Sequence, residues 1–296
     1  MRKMRDLIIW TYRHGLINLY QRVVNRKMFE NLVSDEFAVG NSSVTDSNHI
    51  PQYPSLCGLA ARDREVFEKF RSSVALVEAL DHVTIDQGKL YIKEILNMGN
   101  WLEDYSIAIK RIDEIGRPRK YRFAPYGDFS PTLIRYLKVY LDLGKHFGNL
   151  NGKNIAEIGV GFGGQSSLIH MLDKPGTYSF YDIPPVLDLV RVFISELNLE
   201  GDFNYLDGRL PSHSSPDIVI SNYAFSELSR EVQNLYLENV ILSAPRGYIT
   251  WNSQSVDNLD GYSLADLVRI IPNSQILPEK PKTSESNVIL VWNNSK

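Results

Sequence analysis

The stretch that decides the fold is AEIGVGFGGQS, residues 156–166. Gly159, Gly161 and Gly164 follow the pattern G-x-G-x-x-G, between an apolar, strand-like run and a helical pattern. Glycines at such a strand-to-helix turn let the backbone approach a bound nucleotide closely. We therefore expect a nucleotide-binding turn here, and Glu157, just upstream of the glycines, raises the question of which nucleotide it binds.

The second half of the chain alternates between strand and helix patterns. Short runs rich in β-branched and aromatic residues predict strands at 154–160, 177–183, 202–207, 217–223, 247–253, 274–280 and 287–293. Helical patterns lie between most of them, at 164–172, 185–198, 229–243 and 263–271. This alternation predicts a parallel, doubly wound α/β sheet. The link at 208–216 is too short for a crossover helix, so an irregular connection is expected there.

The last two predicted strands are joined by the short segment PKTSES, residues 281–286. Neighbouring parallel strands need a crossover of about a dozen residues. The last strand must therefore run antiparallel to its neighbour. This ending differs from that of a dinucleotide-binding domain, in which strand-helix-strand units repeat.

The first half of the chain is mainly helical. Helical patterns cover residues 1–30, 59–80, 89–96, 101–115 and 132–147. Ser130 and Pro131 suit the N-cap and the first position of the last of these helices, whereas 34–58 has the composition of a loop. We therefore divide the chain into a helical region at 1–148 and a sheet domain at 149–296. The helical region is expected to form a lid, to bind substrate or to mediate dimerisation.

The predicted helix at 1–30 carries basic residues around an apolar face. A helix of this kind docks on a membrane surface or on another protein surface. We favour packing against its own domain, or against a second subunit in a homodimer, over peripheral membrane contact. No small-residue cleavage site follows the helix, so it is not a signal peptide and a cytoplasmic location is expected.

The composition excludes several classes of function. A net charge of −3 provides no general surface for a nucleic-acid partner. The single cysteine, Cys57, excludes an internal disulfide and a multi-cysteine zinc site. The six histidines form no His-x-x-x-His pair, so no metal site is expected. No apolar run reaches the roughly 18 residues that predict a membrane-spanning helix.

Two carboxylates bear on the identity of the nucleotide. Asp182 ends the second predicted strand, where a carboxylate binds the ribose hydroxyls of NAD and of S-adenosylmethionine alike. Glu157 would repel a pyrophosphate but suits the ammonium of a methionine tail. Together with the antiparallel last strand, Glu157 favours S-adenosylmethionine, and an NAD(P)-dependent sugar oxidoreductase is the alternative.

The second half also resembles a known family in several separated blocks. AEIGVGFGGQSS (156–167), YSFYDIPP (178–185), DIVISNYAFSELSREVQ (217–233) and GYITWN (247–252) are similar to blocks of the bacterial sugar O-methyltransferases, within the class I S-adenosylmethionine-dependent methyltransferase superfamily. The resemblance covers residues 120–296. It implies a Rossmann-like class I methyltransferase sheet with an antiparallel last strand. It also implies methylation of a hydroxyl on a nucleotide-sugar or on a precursor of a surface polysaccharide.

The candidates for cofactor binding lie where the predicted strands end and the following turns begin. They are Glu157, Gly159, Gly161, Gly163, Gln165, Asp182, Ile183, Asp207, Ser221 and Asn222. Asp207 is placed to meet the adenine amino group or to form a turn. Gln165 is placed to line the methionine pocket or to cap its own helix. Ile183 stands where the resembling family has Leu, as Phe162 stands where it has Tyr.

Methyl transfer to a hydroxyl needs a group that accepts the hydroxyl proton. Glu227 and Tyr223, which follow the fourth strand of the predicted sheet, and His82 are the catalytic candidates. His146 is a further candidate base from the helical half. Glu227 has the alternative roles of capping its helix and of pairing with Arg230.

The candidates for acceptor binding are Arg122, Tyr126 and Asn252. The segment RPRKYRFAPYGD (117–128) forms either a lid over the acceptor or an ordered connection, and its arginines suit a diphosphate or an acidic sugar. No compact acidic cluster lies beside a predicted strand end, which favours chemistry without a metal. A sugar-containing acceptor is expected, and a methyltransferase for another small molecule and a non-catalytic scaffold are the remaining alternatives.

Overall fold

The computed structural model describes residues 52–252 and 260–294. The predicted helix at 1–30 lies outside the described residues, as does most of the predicted loop that follows it. The helices are α1 Gln52–Ala60, α2 Arg64–Phe67, α3 Val74–Ala79, α4 Ile85–Met98, α5 Glu103–Asp113, α6 Pro131–Phe147, α7 Gly164–Leu172, α8 Pro184–Glu196, α9 Arg230–Tyr236 and α10 Leu264–Ile270. The strands are β1 Tyr121–Phe123, β2 Gly127–Phe129, β3 Ile155–Ile158, β4 Thr177–Asp182, β5 Asp202–Asp207, β6 Ile218–Asn222, β7 Arg246–Trp251, β8 Gln275–Pro278 and β9 Val288–Asn293.

Seven strands form the central sheet in the order β5-β4-β3-β6-β7-β9-β8. Strands β3 to β7 pair in parallel, whereas β9 runs antiparallel to both of its neighbours, β7 and β8. Both the parallel sheet and the antiparallel last strand predicted from the sequence are confirmed. The sheet is therefore Rossmann-like, with the reversed final strand expected of a class I methyltransferase.

The chain changes direction across the sheet at β3. From β3 it moves outward through β4 to β5 and then returns to β6, on the other side of β3. The return segment contains no helix between β5 and β6, as its shortness predicted. Ligands of open α/β sheets bind in the crevice that such a reversal opens beyond the carboxyl ends of the strands. The topology therefore places the site beyond β3 and β6.

Alternating residues of the strands point to two apolar layers, one on each face of the sheet. On one face, Tyr178 and Ile220 pack with the helices that precede the sheet. On the other face, Ile158 and Val219 pack with α9 and with Leu267 of α10. This period of two, with both faces covered, explains why the buried strands read as continuous apolar runs in the sequence.

One apolar core joins the helices before residue 148 to the sheet. The ring of Phe70 lies 6.1 Å from that of Phe162 and 6.1 Å from that of Phe193, centroid to centroid. The predicted division into regions 1–148 and 149–296 stays a prediction. None of the helices in the described ranges combines the length and the apolar composition needed to cross a bilayer.

The helices before residue 80 depart from the sequence prediction. The single predicted helix at 59–80 is divided, because Asp63 and Ser73 each begin a new helix by accepting backbone hydrogen bonds as N-caps. Helix α1 also begins at Gln52, inside the segment predicted to be a loop. Here α1 packs on α8, a tertiary contact that a local sequence pattern does not reveal.

Candidate active site

A cavity of about 390 Å³ lies beyond the carboxyl ends of β3, β4 and β6, at the reversal described above. Its volume is in the range typical of small-molecule sites. Residues 157–161, 181–183 and 222–224 contribute the strand ends. The remaining wall comes from the helices before the sheet, from the links that follow β5, β6 and β7, from Tyr236 of α9 and from the β8–β9 link.

Two features of the β3–α7 turn require glycine. Neighbouring atoms leave no room for a Cβ atom, and the backbone has positive φ angles. A Cβ atom on Gly159 would lie 2.0 Å from the Cβ of Ala224, and one on Gly161 would lie 2.9 Å from Leu80. Their φ angles are +75° and +55°, and Gly163, the N-cap of α7, has φ +84°. Gly159 and Gly161 line the cavity, so the turn exposes backbone rather than side chains to a ligand.

Asp182, at the end of β4, lies in the wall of the cavity with the next residue, Ile183. Its Oδ2 accepts a hydrogen bond from the backbone N–H of Val160 at 2.9 Å, and its Oδ1 accepts one from that of Ile183 at 2.8 Å. These two bonds fix the orientation of the carboxylate and tie it to the glycine turn. Asp182 therefore joins the first two parallel strands of the site at the position predicted for ribose binding.

Glu157 also lies in the wall, but its environment differs from the sequence expectation. Its side chain is 1% exposed, and the hydroxyl of Tyr178 donates a hydrogen bond of 2.7 Å to Oε2. Burial raises the pKa of Glu157 to about 8, against the smaller, opposing effect of the Tyr178 hydrogen bond. The carboxyl is therefore mostly protonated at neutral pH. The expected repulsion of a pyrophosphate by Glu157 is accordingly much weaker than a solvated carboxylate would give.

Glu227 and Asn252 meet at the side of the cavity beyond β6 and β7. The Nδ2 group of Asn252 donates a hydrogen bond of 3.0 Å to Oε1 of Glu227. Asn222, at the end of β6, lies in the same wall, and its Oδ1 accepts a hydrogen bond of 3.3 Å from the Thr250 hydroxyl. The structure thus brings together three of the polar residues that the sequence predicted for the site.

Tyr223 lines the cavity, but its hydroxyl is already engaged. It donates a hydrogen bond to Oε1 of Glu279 and lies 3.3 Å from the hydroxyl of Thr283. Burial, reinforced by the nearby Tyr91, raises the pKa of Tyr223 well above its ordinary value of 10. Because a phenol that stays protonated accepts no further proton, the hydroxyl of Tyr223 in this state is a hydrogen-bond donor rather than a base.

The two predicted histidine bases lie in different places. His82 lines the cavity, and the surrounding protein, with the charge of Arg135, lowers its pKa to about 4. The imidazole is therefore neutral, but weakly basic, at neutral pH. His146 lies outside the cavity wall, near the end of α6, where its ring centroid is 6.5 Å from that of Tyr248. Of the two, the structure places only His82 where it can meet a ligand of the cavity.

Several other predicted site residues lie outside the cavity wall. Asp207 forms an ion pair with Arg209 at 2.6 Å, and it is Arg209 that lines the cavity. The hydroxyl of Ser221 donates to the carbonyl of Ile158 at 2.9 Å and so links two strands. The Nε2 group of Gln165 donates to the carbonyl of Tyr136 at 3.2 Å. The sequence predicted that these residues lie near the strand ends, but it could not predict the directions in which their side chains point.

Arg122 and Tyr126 belong to the β1–β2 hairpin and do not line the cavity. Arg122 is exposed and pairs with Asp128 at 3.3 Å across the hairpin. The ring of Tyr126 packs on that of Trp101, with centroids 4.8 Å apart. The structure therefore favours the ordered-connection interpretation of this segment over the lid.

The sequence analysis missed the part of the wall that the helices supply. Arg135 and Tyr136 of α6, Tyr91 of α4 and Tyr53 of α1 line the cavity. Tyr91, Arg135 and Tyr136 lie in predicted helical patterns, where a buried residue of the core gives the same signal as a residue of a site. Tyr53 lies in the segment that was predicted to be a loop. A buried arginine in the apolar face of a predicted helix was the one signal that pointed to this wall.

Among the described residues, no group of three or more His, Cys, Asp or Glu side chains is placed to hold a metal ion. Metal-independent chemistry remains a prediction.

No protein-family model matches the sequence, and no curated protein matches it. Solved structures that are similar include the PH0226 protein from Pyrococcus horikoshii OT3, at 12% identity over 54% of this chain and 90% of that chain, with a TM-score of 0.43. Magnesium protoporphyrin IX methyltransferase (ChlM) from Synechocystis PCC 6803, with bound SAH, is 14% identical over 63% of this chain and 93% of that chain, with a TM-score of 0.42.

Human N-acetylserotonin methyltransferase in complex with SAM is 12% identical over 54% of this chain and 53% of that chain, with a TM-score of 0.37. At these values the strand order, rather than the likeness to any one structure, defines the fold. The narrower resemblance to sugar O-methyltransferases has no support from these matches.

Proposed function

We propose that the chain is an S-adenosylmethionine-dependent O-methyltransferase that acts on a hydroxyl of a small molecule. The sequence favours a sugar hydroxyl. The observation that carries the proposal is a cavity at the reversal point of a sheet with an antiparallel last strand, with Asp182 and Glu157 in its wall. NAD binding fits Asp182 as well, but not the β8–β9 ending of the sheet.

The residues of the wall fit the parts of S-adenosylmethionine. Asp182, held by two backbone N–H groups, suits a ribose diol. Glu157 suits the ammonium of the methionine end, because a cation beside a buried carboxyl favours its ionised form. Gly159 and Gly161 leave the backbone open to close approach. When bound, this cofactor supplies a methyl group on a sulfonium, which an oxygen nucleophile can attack.

Glu227 is the proposed acceptor of the hydroxyl proton. Its carboxyl lies in the cavity wall, and the hydrogen bond from Asn252 orients it. Of the other candidates in the wall, Tyr223 keeps its proton, whereas His82 is neutral at neutral pH and is the second candidate base. Holding an acceptor hydroxyl in line with the methyl group can lower the barrier by about 7–11 kcal/mol. Proton acceptance by Glu227 adds roughly 10²- to 10⁴-fold in rate.

Transfer of a radiolabelled methyl group from S-adenosylmethionine tests this proposal. The acceptors are free hexoses and nucleotide-linked hexoses, with a simple phenol as the non-sugar member. We expect labelling of a sugar by the wild type, and a decrease of at least about 100-fold in Glu227→Gln with unchanged binding of S-adenosylhomocysteine.

The matched control is Glu200→Gln, which alters an exposed glutamate before β5. It should transfer methyl groups like the wild type. Labelling of the phenol alone would refute the sugar acceptor. Wild-type turnover by Glu227→Gln would remove Glu227 from the mechanism.

A further inference from the structure

Arg135 of α6 is a buried cation that has no counter-ion among the described residues. The residue is 7% exposed and lies in the wall of the cavity. Its Nη2 group donates a hydrogen bond of 3.3 Å to the backbone carbonyl of Leu80, whereas its Nε–H has no hydrogen-bond partner. Among the described residues, no carboxylate oxygen lies within the 4.0 Å that defines an ion pair with this guanidinium.

A second buried arginine, Arg71, is neutralised by carboxylates and serves as a comparison for Arg135. Arg71, which is 0% exposed, pairs with Asp81 at 3.1 Å and with Asp113 at 3.0 Å. Arg135 instead lies over the rings of Tyr136 and Tyr223, whose centroids are 5.5 and 5.6 Å from its Cζ atom, and no carboxylate of the described residues forms an ion pair with it. A buried charge without a counter-ion is strongly unfavourable. An anionic ligand in the cavity would supply the missing partner.

Two carboxylates, those of Asp142 and Glu279, lie close to Arg135, and both already bond to other donors. Asp142 accepts hydrogen bonds from Lys138 at 2.6 Å and from the hydroxyl of Tyr248 at 2.9 Å. Glu279 lines a small space next to the cavity together with Arg135. Its carboxylate accepts hydrogen bonds from the hydroxyl of Tyr223 and from the backbone N–H and hydroxyl of Thr283. The carboxylate of Glu279 therefore accepts hydrogen bonds from Tyr223 and from the β8–β9 link rather than from the guanidinium of Arg135.

A second donor in the same wall also lacks a partner. The Nδ2 group of Asn222 is buried and has no hydrogen-bond partner within residues 52–252 and 260–294, although Oδ1 of the same side chain accepts a hydrogen bond from Thr250. Asn222 precedes Tyr223, whose ring lies against the guanidinium of Arg135. The wall thus presents two unsatisfied N–H donors, one of them on a cation, and both call for an oxygen acceptor.

We propose that Arg135 and Asn222 form a subsite for the carboxylate of a ligand bound in the cavity. A guanidinium matches the planar geometry of a carboxylate, and the charge on both partners makes their hydrogen bonds strong. The inference rests on the proposed function, which offers two sources of that carboxylate. One source is the methionine end of the cofactor, and the other is an acidic sugar as acceptor.

Calorimetric titration of Arg135→Gln tests the subsite. The matched control is Arg269→Gln, which alters an exposed arginine of α10. The ligands are S-adenosylhomocysteine and 5′-methylthioadenosine, which lacks the amino-acid end. If the carboxylate belongs to the cofactor, Arg135→Gln weakens the binding of S-adenosylhomocysteine by roughly 10- to 100-fold and leaves the affinity for 5′-methylthioadenosine unchanged. The control variant leaves both affinities unchanged.

If the carboxylate belongs to the acceptor, both nucleoside affinities stay unchanged in Arg135→Gln. D-glucuronate then binds the wild type saturated with S-adenosylhomocysteine, and this binding is lost in the variant. Equal binding of all three ligands to wild type and variant overturns the proposal. An equal loss of affinity for both nucleosides in Arg135→Gln also overturns the proposal, because Arg135 would then shape the cavity rather than bind a carboxylate.

A measurement on the wild type alone keeps the proposal testable if the variant does not fold. The carboxamide of S-adenosylhomocysteine has nearly the same shape as the acid but no charge at that position. A roughly 10- to 100-fold weaker binding of the carboxamide supports the cofactor as the source. Equal binding of acid and carboxamide, with no binding of D-glucuronate, overturns the subsite. Failure of S-adenosylhomocysteine to bind the wild type would instead refute the proposed function.

Discussion

At the scale of single residues, the protonation of Glu157 links the fold to the proposed ligand. Burial raises the pKa of its carboxyl to about 8, so the ligand-free protein holds a proton there at neutral pH. An ammonium group beside the carboxyl favours the ionised form. Binding of such a ligand therefore releases a proton, and its affinity rises with pH up to the pKa of the carboxyl.

The same pKa makes the stability of the fold depend on pH. The ordinary pKa of the Glu157 carboxyl is 4.5, and its folded pKa is about 8. Because the folded pKa is the higher one, the contribution of Glu157 to stability is complete below 4.5 and is lost as pH rises through 8. Relative to Glu157→Gln, we expect the wild type to lose roughly 1–3 kcal/mol of unfolding free energy between pH 5.5 and 8. Urea denaturation at several pH values measures this difference, and equal pH dependence in the two proteins would contradict the burial of Glu157.

In the proposed function, Asp182 is the residue on which nucleoside binding depends most directly. We expect Asp182→Ala to abolish the binding of S-adenosylhomocysteine, as measured by calorimetry, while circular dichroism still shows a folded protein. Loss of its hydrogen bonds to Val160 and Ile183 should cost about 1–3 kcal/mol of stability. The control is Asp188→Ala, which alters an exposed aspartate of α8 and should bind like the wild type. Unchanged affinity in Asp182→Ala would remove this residue from the site.

At the scale of elements, the turn between β3 and α7 shows how packing determines a sequence motif. Gly159 and Ala224 bring the end of β3 against the link that follows β6. That approach joins the two sides of the cavity, because both residues lie in its wall. The glycine motif is therefore a packing requirement as well as a way to expose backbone to a ligand.

A pair of glycine substitutions tests this packing. Gly159→Ala adds a Cβ atom 2.0 Å from that of Ala224 and forces alanine to adopt φ +75°, so we expect a loss of roughly 2–5 kcal/mol in unfolding free energy. Gly144, inside α6, has no atom within 4 Å of the added Cβ, and Gly144→Ala should stabilise the protein by up to about 1 kcal/mol. Thermal and urea denaturation compare the two variants. Similar stability of Gly159→Ala and wild type would show that the turn relaxes at little cost.

At the scale of the whole molecule, the sheet could be predicted and much of the site could not. Strands such as β5 and β9 have almost the bounds that their β-branched runs predicted, because a buried strand has a local signature. The six-residue link at 281–286 likewise determined the direction of β9, through the minimum length of a crossover. These are constraints that act within a few residues of the chain.

The missed features depend on contacts between distant parts of the chain. Arg135 lies in the cavity because α6 packs beside the glycine turn, and its own sequence surroundings are those of an ordinary buried helix. The pKa of Glu157 depends on the burial of its side chain in the folded protein, so its charge could not be inferred from residue type. Side-chain direction likewise separates Asp182, which lines the cavity, from Asp207, which does not.

The most direct test is a calorimetric titration of the purified wild-type protein with S-adenosylhomocysteine and, separately, with NAD. The proposed S-adenosylmethionine site, on a sheet that ends in a reversed strand, should accept the thioether compound and not the dinucleotide. We expect S-adenosylhomocysteine to bind with one molecule per chain and NAD to give no binding heat. Binding of NAD without binding of S-adenosylhomocysteine would contradict the account.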